Sequence, residues 1–200
     1  MNRGSLIVVS GPSGCGKGTI LAEILKHDNF WYSVSATTRN PRPGEVNGVN
    51  YHFLTRDEFL TRIKNDEMLE YAEYCGNFYG TPAKEISEKR DNGKDVILEI
   101  EVQGAKQIRE KCPDAEFIFI APPSMTVLKE RLSGRGTETP EVIEGRINQA
   151  SSELKCAGDY DYIIVNDKLE TAISDFLAIV HAEKCKTENR LDILKEVIEK

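Results

Sequence analysis

The segment that decides the fold is LIVVSGPSGCGKGT, residues 6–19. Its first five residues form an apolar run without alternation, which is typical of a strand buried on both faces of a parallel sheet. The glycines that follow, with Lys17 after Gly16, have the spacing of a loop that wraps a phosphate with its backbone N–H groups. The segment after the loop has apolar residues on one face of a helix, namely Ile20, Leu21 and Ile24. The segment therefore predicts a strand, a phosphate-binding loop and a helix.

The loop is the predicted site for a nucleotide triphosphate. The helix N-terminus adds partial positive charge, and Lys17 can reach the β and γ oxygens. The alternative is a Gly-rich turn that binds nothing, but here a strand, a lysine and a helix accompany the glycines. The predicted triphosphate-binding residues of the loop are Gly11, Pro12, Ser13, Gly14, Cys15, Gly16, Lys17, Gly18 and Thr19.

Two positions in this loop raise separate questions. Such loops usually end in Lys-Ser or Lys-Thr, whose hydroxyl binds Mg²⁺. Gly18 occupies that position and Thr19 comes one later, so we expect Mg²⁺ to be held chiefly by phosphates and water.

An exposed Cys15 beside inward N–H groups would have a lowered thiol pKa and would react with alkylating agents. The alternative is an inert thiol turned inward.

The remainder of the chain alternates apolar runs with helix-period stretches. Strands are predicted over Leu6–Ser10, Trp31–Ala36, Val96–Ile100, Phe117–Ala121 and Tyr162–Val165. Helices are predicted at about 17–27, 103–111, 124–133, 140–157, 168–186 and 188–199. This order predicts an α/β fold of the P-loop NTPase type, with a parallel five-stranded sheet and helices on both faces.

The stretch from about residue 38 to 92 breaks this alternation. It contains prolines and glycines, two alternating strands over Leu69–Tyr74 and Phe78–Gly80, and two helices, the first opened by a capping box at Thr55 and Glu58. We interpret residues 38–81 as an inserted mixed α/β subdomain in a core of residues 1–37 and 82–200. A Gly-rich link between two helices predicts a small lid at about 133–146.

Composition excludes several classes of protein. The net charge of −7 argues against binding to nucleic acid or to an anionic membrane. The five cysteines form no C-x-x-C pair, so neither a disulfide framework nor a zinc site is indicated. No apolar run reaches the length of a signal peptide or a membrane span. We expect a cytoplasmic protein, either a monomer or a homo-oligomer.

A second motif is SATTRNPRPGE, residues 35–45. Arg39 and Arg42, stiffened by prolines, make a compact fork for a phosphate monoester. The alternative is two solvated loop arginines. With GEVNGVNY at 44–51 and GNFYGT at 76–81, this region closely resembles the guanylate kinase family.

The resemblance matches the family pattern T-T-R-x-P-R-x-G-E-x-x-G-x-x-Y from Thr37 to Tyr51, and it extends from Gly11 to Asp167. It implies an enzyme of purine nucleotide metabolism that transfers the γ-phosphoryl group of ATP to GMP, with Mg²⁺ as cofactor. The residues that it implies for GMP binding are Ser35, Arg39, Arg42, Tyr51, Glu70, Tyr79, Thr81, Glu99 and Glu101.

By this resemblance, the two arginines and two tyrosines bind the GMP phosphate, and Ser35, Glu70 and Thr81 recognise guanine. The chemistry agrees, because guanine presents N1–H and N2–H₂ as adjacent donors and an ionised Glu70 offers two acceptors. The Ser35 hydroxyl can donate to O6. Tyr51 and Tyr79 could equally be part of the subdomain core.

The acids Glu99 and Glu101 end an apolar strand where the family usually carries Leu-Asp-Ile-Asp. We expect Glu99 near the water shell of Mg²⁺ and Glu101 near the nucleotide, at the carboxyl edge where ligands bind in such sheets. The alternative is that these acids only cap the strand.

The predicted catalytic residues are Lys17, Arg131, Arg135 and Arg146. Phosphoryl transfer needs positioning and positive charge at the transferring group, and a closing lid would supply arginines and exclude water. Asn166 and Asp167 match the family's adenine-side segment. The other hypotheses are a kinase for a different nucleoside monophosphate, which needs no complete guanine set, and a scaffold module, which typically has a degenerate phosphate loop.

Overall fold

A computed structural model describes residues 3–74, 76–134 and 140–198. The strands are β1 (Leu6–Ser10), β2 (Phe30–Tyr32), β3 (Ala36–Thr37), β4 (His52–Phe53), β5 (Met68–Tyr74), β6 (Asn77–Pro82), β7 (Asp95–Glu99), β8 (Glu116–Ala121) and β9 (Tyr162–Val165). The helices are α1 (Lys17–Ile24), α2 (Arg56–Lys64), α3 (Ala83–Asp91), α4 (Val102–Lys111), α5 (Met125–Ser133), α6 (Pro140–Leu154), α7 (Leu169–Lys184) and α8 (Thr187–Ile198).

The predicted five-stranded sheet is confirmed, with the strand order β2-β7-β1-β8-β9. The pairings of β2 with β7, β1 with β7 and β8 with β9 are all parallel. Strands β1, β7 and β8 are buried along nearly their whole length. Burial on both faces explains why these strands are continuous apolar runs rather than alternating ones.

The chain divides into two compact units. Unit 1 consists of Arg3–Ser10 and Asp28–Ala115, and unit 2 consists of Gly11–His27 and Glu116–Lys200. Within unit 1, α3 packs on β7, and α4 packs on β1 and on β5. Within unit 2, α1 packs on α7, which also contacts β9. In the part of the chain that the structure describes, no helix is both long and apolar enough to cross a membrane.

Unit 1 also contains a four-stranded sheet of order β4-β3-β6-β5, which fits the predicted mixed insertion. Strand β6 pairs antiparallel with β3 and β5, whereas β3 and β4 are parallel. Its core includes Phe59, on which Phe78 stacks with ring centroids 5.4 Å apart. The capping box is confirmed, because Thr55 Oγ1 accepts from the Glu58 N–H and the Glu58 carboxylate accepts from the Thr55 N–H.

The predicted strand over Trp31–Ala36 is wrong. Residues Phe30–Tyr32 pair with β7 in the five-stranded sheet, whereas Ala36 and Thr37 pair with β6 in the other sheet. The chain changes sheets between Tyr32 and Ala36, and a local apolar pattern cannot reveal that change of partner. The predicted helices keep their places, with ends that differ by a few residues.

Candidate functional site

The phosphate loop lies in unit 2 and leads into α1. Gly14 and Gly16 have φ values of 87° and 94°, a left-handed conformation that residues with a Cβ rarely adopt. The Gly16 carbonyl accepts the first helical hydrogen bonds, from the N–H groups of Thr19 at 3.1 Å and Ile20 at 3.2 Å. Gly18 and Thr19 are exposed at the start of α1, as is Ser13 in the loop. The loop therefore ends at a helix N-terminus, which favours a bound anion.

The Lys17 ammonium group lies against the backbone of this loop. Its Nζ donates to the carbonyl oxygen of Gly11 at 2.7 Å and to that of Pro12 at 3.2 Å. A phosphate oxygen carries more negative charge than these carbonyls and makes a stronger hydrogen bond with an ammonium group. Lys17 is thus held at the loop, where it can exchange these contacts for contacts with a triphosphate.

Two residues that the sequence assigns to nucleotide chemistry hold the loop backbone. Asn166 Nδ2 donates to the Cys15 carbonyl at 2.8 Å, and Arg131 Nη1 donates to the same oxygen at 3.3 Å. Arg131 Nη2 also donates to the Asn166 carbonyl, at 3.0 Å. A Cβ at Gly16 would lie 2.3 Å from Asn166 Nδ2, so only glycine fits. The neighbouring Asp167 is exposed.

The Cys15 thiol is buried within unit 2. A Cβ built at Gly11 would lie 3.2 Å from its Sγ, so the sulfur packs beneath the loop. The reactive-thiol hypothesis requires an exposed Cys15, and the structure shows that this residue is buried. The structure therefore favours the inert, inward-turned alternative.

The predicted lid is described in part. Helix α6 packs on α5 through a small cluster that includes Leu128, Leu132 and Ala150. Arg146 is half-buried on α6, next to Ile147, which packs against that cluster. The predicted catalytic Arg135 and the link at 135–139 lie outside the described residues.

In unit 1, Arg39 is held by Glu45, a partner that the sequence did not predict. Arg39 Nη1 and Nη2 each donate to one Glu45 carboxylate oxygen at 2.9 Å, forming a bidentate ion pair. These hydrogen bonds lower the pKa of Glu45 to about 2. Glu45 also accepts from the Arg42 N–H at 2.7 Å, and the Arg42 side chain is exposed. One carboxylate therefore organises both arginines.

Tyr51 and Tyr79 lie beside the Arg39–Glu45 ion pair. The Arg39 Cζ lies 5.5 Å from the centroid of the Tyr51 ring, and the Tyr51 and Tyr79 rings meet edge to face at 6.1 Å. Both rings are only half-buried, so they are not simply core residues. Burial raises the pKa of Tyr51, which keeps its hydroxyl protonated and able to donate. Arg39, Tyr51 and Tyr79 thus lie together, and Arg42 is linked to Arg39 through the Glu45 carboxylate.

Glu70 is the buried acid of the second sheet, with 5% of its surface exposed. Its Oε1 accepts from Thr81 Oγ1 at 2.6 Å, across the paired strands β5 and β6. Burial raises the pKa of Glu70, the Thr81 hydrogen bond opposes this rise, and the charge of Glu101 adds to it. Ser35 lies just before β3, half-buried, and its carbonyl accepts from the N–H of His52.

The strand-end acids differ in environment. Glu99 ends β7 and is half-buried, and its Oε2 accepts from the Tyr32 hydroxyl at 3.3 Å. Burial raises the pKa of Tyr32, and Glu99 contributes further. Glu101 is exposed and precedes α4 as its N-cap. The sequence did not predict the Tyr32 contact with Glu99, because it depends on the pairing of β2 with β7, which joins residues far apart in the chain.

The features of the phosphate loop define a class of protein. An apolar parallel strand, a Gly-rich loop with an ordered lysine and a helix N-terminus together define a P-loop nucleotide-binding α/β protein.

Comparisons with known proteins then specify the family. Residues 3–183 match the family profile described as guanylate kinase. A guanylate kinase of Halalkalibacterium halodurans is 52% identical over 98% of this chain and 97% of its own length. One of Clostridium perfringens is 55% identical over 98% of this chain and 89% of its own length. The crystal structure of guanylate kinase from Anaplasma phagocytophilum superposes with a TM-score of 0.76 at 37% identity, covering 93% of this chain and 89% of that one. The chain belongs to the guanylate kinase family.

Proposed function

We propose that this chain transfers the γ-phosphoryl group of ATP to GMP, giving ADP and GDP, with GMP bound in unit 1 and ATP at the phosphate loop of unit 2. The observation that carries the choice of acceptor is the buried Glu70 carboxylate, oriented by Thr81. A direct test is calorimetric titration of the protein with GMP and with AMP. We expect GMP to bind and AMP to bind far more weakly; equal affinities would contradict the proposal.

Guanine recognition follows from the acceptors that Glu70 presents. The N1–H and N2–H₂ groups of guanine are parallel donors that suit two carboxylate oxygens. Thr81 already donates to Oε1, which fixes the plane of the carboxylate and leaves further lone pairs for the base. Ser35 is assigned the donor to O6, and Glu101 lies near the nucleotide. Residues 38–81 then act as the GMP-binding subdomain within a core of residues 1–37 and 82–200.

The GMP phosphate is assigned to Arg39, Arg42, Tyr51 and Tyr79. The Glu45 carboxylate fixes the Arg39 guanidinium, so its remaining N–H donors are oriented before the ligand arrives. The exposed Arg42 side chain and the two tyrosine hydroxyls supply further donors.

The ATP side is assigned to the loop Gly11–Thr19, with Asn166 and Asp167 toward adenine. The described residues contain no group of three or more His, Cys, Asp or Glu side chains placed to hold a metal ion. A protein that binds Mg²⁺ through phosphates and waters needs no such group. Mg²⁺ would be held chiefly by the phosphates of ATP and by water, with Glu99 near its water shell. When bound, it neutralises charge on the β- and γ-phosphate oxygens.

Transfer itself depends on positioning and on positive charge. The transition state is loose, so the GMP oxygen must be aligned with the γ-phosphorus while Lys17, Arg131, Arg135 and Arg146 stabilise the charge. A lid at about 133–146 would bring its arginines to the phosphates and exclude water as a competing acceptor.

The two groups of arginines should differ in their kinetics. Arg146→Ala is expected to lower kcat by about 10²-fold with little change in the KM for GMP, because this charge acts in the transition state. Arg39→Ala is expected to raise the KM for GMP by about 10-fold or more, because it removes a binding contact that is present in the ground state. Steady-state kinetics at saturating ATP measure both effects.

The matched control is Arg190→Ala, an exposed arginine on α8, which should behave like the wild-type protein. The same kinetic change in both test variants would show that the division into acceptor and lid arginines is wrong.

The affinity for GMP is expected to fall as the pH falls through the pKa of Glu70. Burial raises this pKa in the free protein. Bound guanine favours the ionised form, so protonation competes with binding. Affinity is thus complete above the raised pKa and is lost below it. Calorimetric Kd values between about pH 5 and pH 8 measure this dependence.

Glu70→Gln is the control for this pH series, because its side chain cannot titrate. The GMP phosphate titrates with a second pKa of about 6 in both proteins, so it cancels in the comparison. An identical pH dependence in the two proteins would contradict the role of Glu70.

A further inference from the structure

Strand β5, which carries Glu70, is irregular and lies at the edge of the four-stranded sheet. Met68 is paired with Pro82, whereas Glu70 is paired with Thr81, so the register shifts between Met68 and Glu70. A β-bulge of this kind changes the direction of the side chain beside it. An edge strand also lacks a neighbouring strand on one side to fix its position. The orientation of Glu70 therefore depends on what covers the free edge of β5.

Helix α4 covers that edge through side chains. Gln107 bonds both backbone groups of Tyr71: its Oε1 accepts from the Tyr71 N–H at 3.2 Å, and its Nε2 donates to the Tyr71 carbonyl at 2.8 Å. Lys111 Nζ donates to the Met68 carbonyl at 3.2 Å. The Gln107 amide thus replaces the hydrogen bonds of an adjacent strand, and the two side chains fix β5 on either side of the bulge.

The same face of α4 also contacts the Glu70 carboxylate itself. A Cβ built at Gly104 would lie 2.6 Å from Glu70 Oε2 and 3.0 Å from its Cδ. Glycine is needed here because of space, since any side chain would displace the carboxylate. Gly104, Gln107 and Lys111 are spaced three and four residues apart, so they lie along one helical face.

We propose that Gln107 is a positioning residue for guanine specificity: it holds β5 so that Glu70 faces the base, and Gly104 sets how closely α4 approaches the carboxylate. This inference rests on the proposed function, in which Glu70 recognises guanine. Gln107 acts through the backbone of Tyr71 and through Glu70, and does not itself contact the substrate.

The test compares Gln107→Met with Glu110→Met. Methionine keeps the length of Gln107 but removes both hydrogen bonds, and Glu110 is an exposed residue on the same helix. The readout is the ratio of kcat/KM for GMP to kcat/KM for AMP, with kcat and KM resolved. We expect Gln107→Met to lower this ratio by about 10-fold, mainly through a higher KM for GMP, with the KM for ATP unchanged. Glu110→Met should match the wild type.

A second variant, Gly104→Ala, displaces the carboxylate directly and should lower the ratio further, by about 10²-fold. If Gln107→Met and Gly104→Ala leave the ratio within twofold of the wild type, or lower GMP and AMP turnover equally, the positioning role is overturned. The parallel variant Glu70→Gln separates a failure of the positioning role from a failure of the proposed acceptor site. A collapsed ratio in Glu70→Gln with a normal ratio in Gln107→Met refutes this inference alone, whereas a normal ratio in Glu70→Gln refutes the proposed acceptor site.

Discussion

Lys17→Ala is expected to lower kcat by about 10³-fold or more while the protein remains folded. The reason is that Lys17 is placed at the phosphate loop by hydrogen bonds to the Gly11 and Pro12 carbonyls, where its charge can follow the γ-phosphoryl group during transfer. No other lysine has this position in the sequence motif. The measurement is kcat at saturating ATP and GMP, together with thermal unfolding of both proteins.

Lys17→Ala should destabilise the protein by no more than about 2 kcal/mol and leave it folded, because it removes two hydrogen bonds of about 1 kcal/mol each from a half-buried ammonium group and buries no new polar group. Lys26→Ala is the matched control, because Lys26 is exposed and its ion pair with Glu23 contributes little. A Lys17→Ala variant that kept kcat within about tenfold of the wild type would contradict the assignment of this loop to catalysis.

Glu70→Gln is expected to collapse the preference for GMP over AMP, by a factor of about 10² or more in the ratio of their kcat/KM values. Glutamine keeps the volume and retains an oxygen for Thr81, but it replaces one acceptor with a donor. The two guanine donors then lose a partner, and the repulsion between the carboxylate and the N1 lone pair of adenine disappears. Most of the discrimination comes from unsatisfied polar groups in a buried site.

Glu70→Ala distinguishes this mechanism from a loss of shape. It should also lose GMP activity, but it should recover AMP activity less well than glutamine does, because alanine offers no donor to adenine N1. Kinetics with both acceptors at saturating ATP measure the ratio. If the ratio in Glu70→Gln stays at the wild-type value, Glu70 does not recognise guanine.

Features set by a few adjacent residues could be predicted from the sequence. The phosphate loop depends on glycines and a lysine at fixed spacing, and the start of α2 depends on Thr55 and Glu58. The parallel sheet follows from continuous apolar runs such as Leu6–Ser10. In each case the residues that produce the feature are close together in the sequence, so the feature can be predicted without knowing a distant partner.

Features that depend on distant partners could not be predicted in this way. Strand β3 has two residues and exists because of its sheet neighbours, so the single strand predicted over Trp31–Ala36 merges β2 with the start of β3. The Arg131 contact with the Cys15 carbonyl and the Gln107 contact with Tyr71 join residues 116 and 36 positions apart. The Arg39–Glu45 ion pair is local, but its bidentate form depends on how the Pro-rich loop folds.

The most direct test of transfer from ATP to GMP is an assay of the purified chain with ATP, Mg²⁺ and one of three acceptors, GMP, AMP or UMP, with coupled detection of ADP. We expect rapid turnover with GMP and a kcat/KM for GMP that exceeds the values for AMP and UMP by about 10³-fold or more. Absence of turnover with GMP, or a kcat/KM for AMP or UMP equal to that for GMP, would contradict the proposed function.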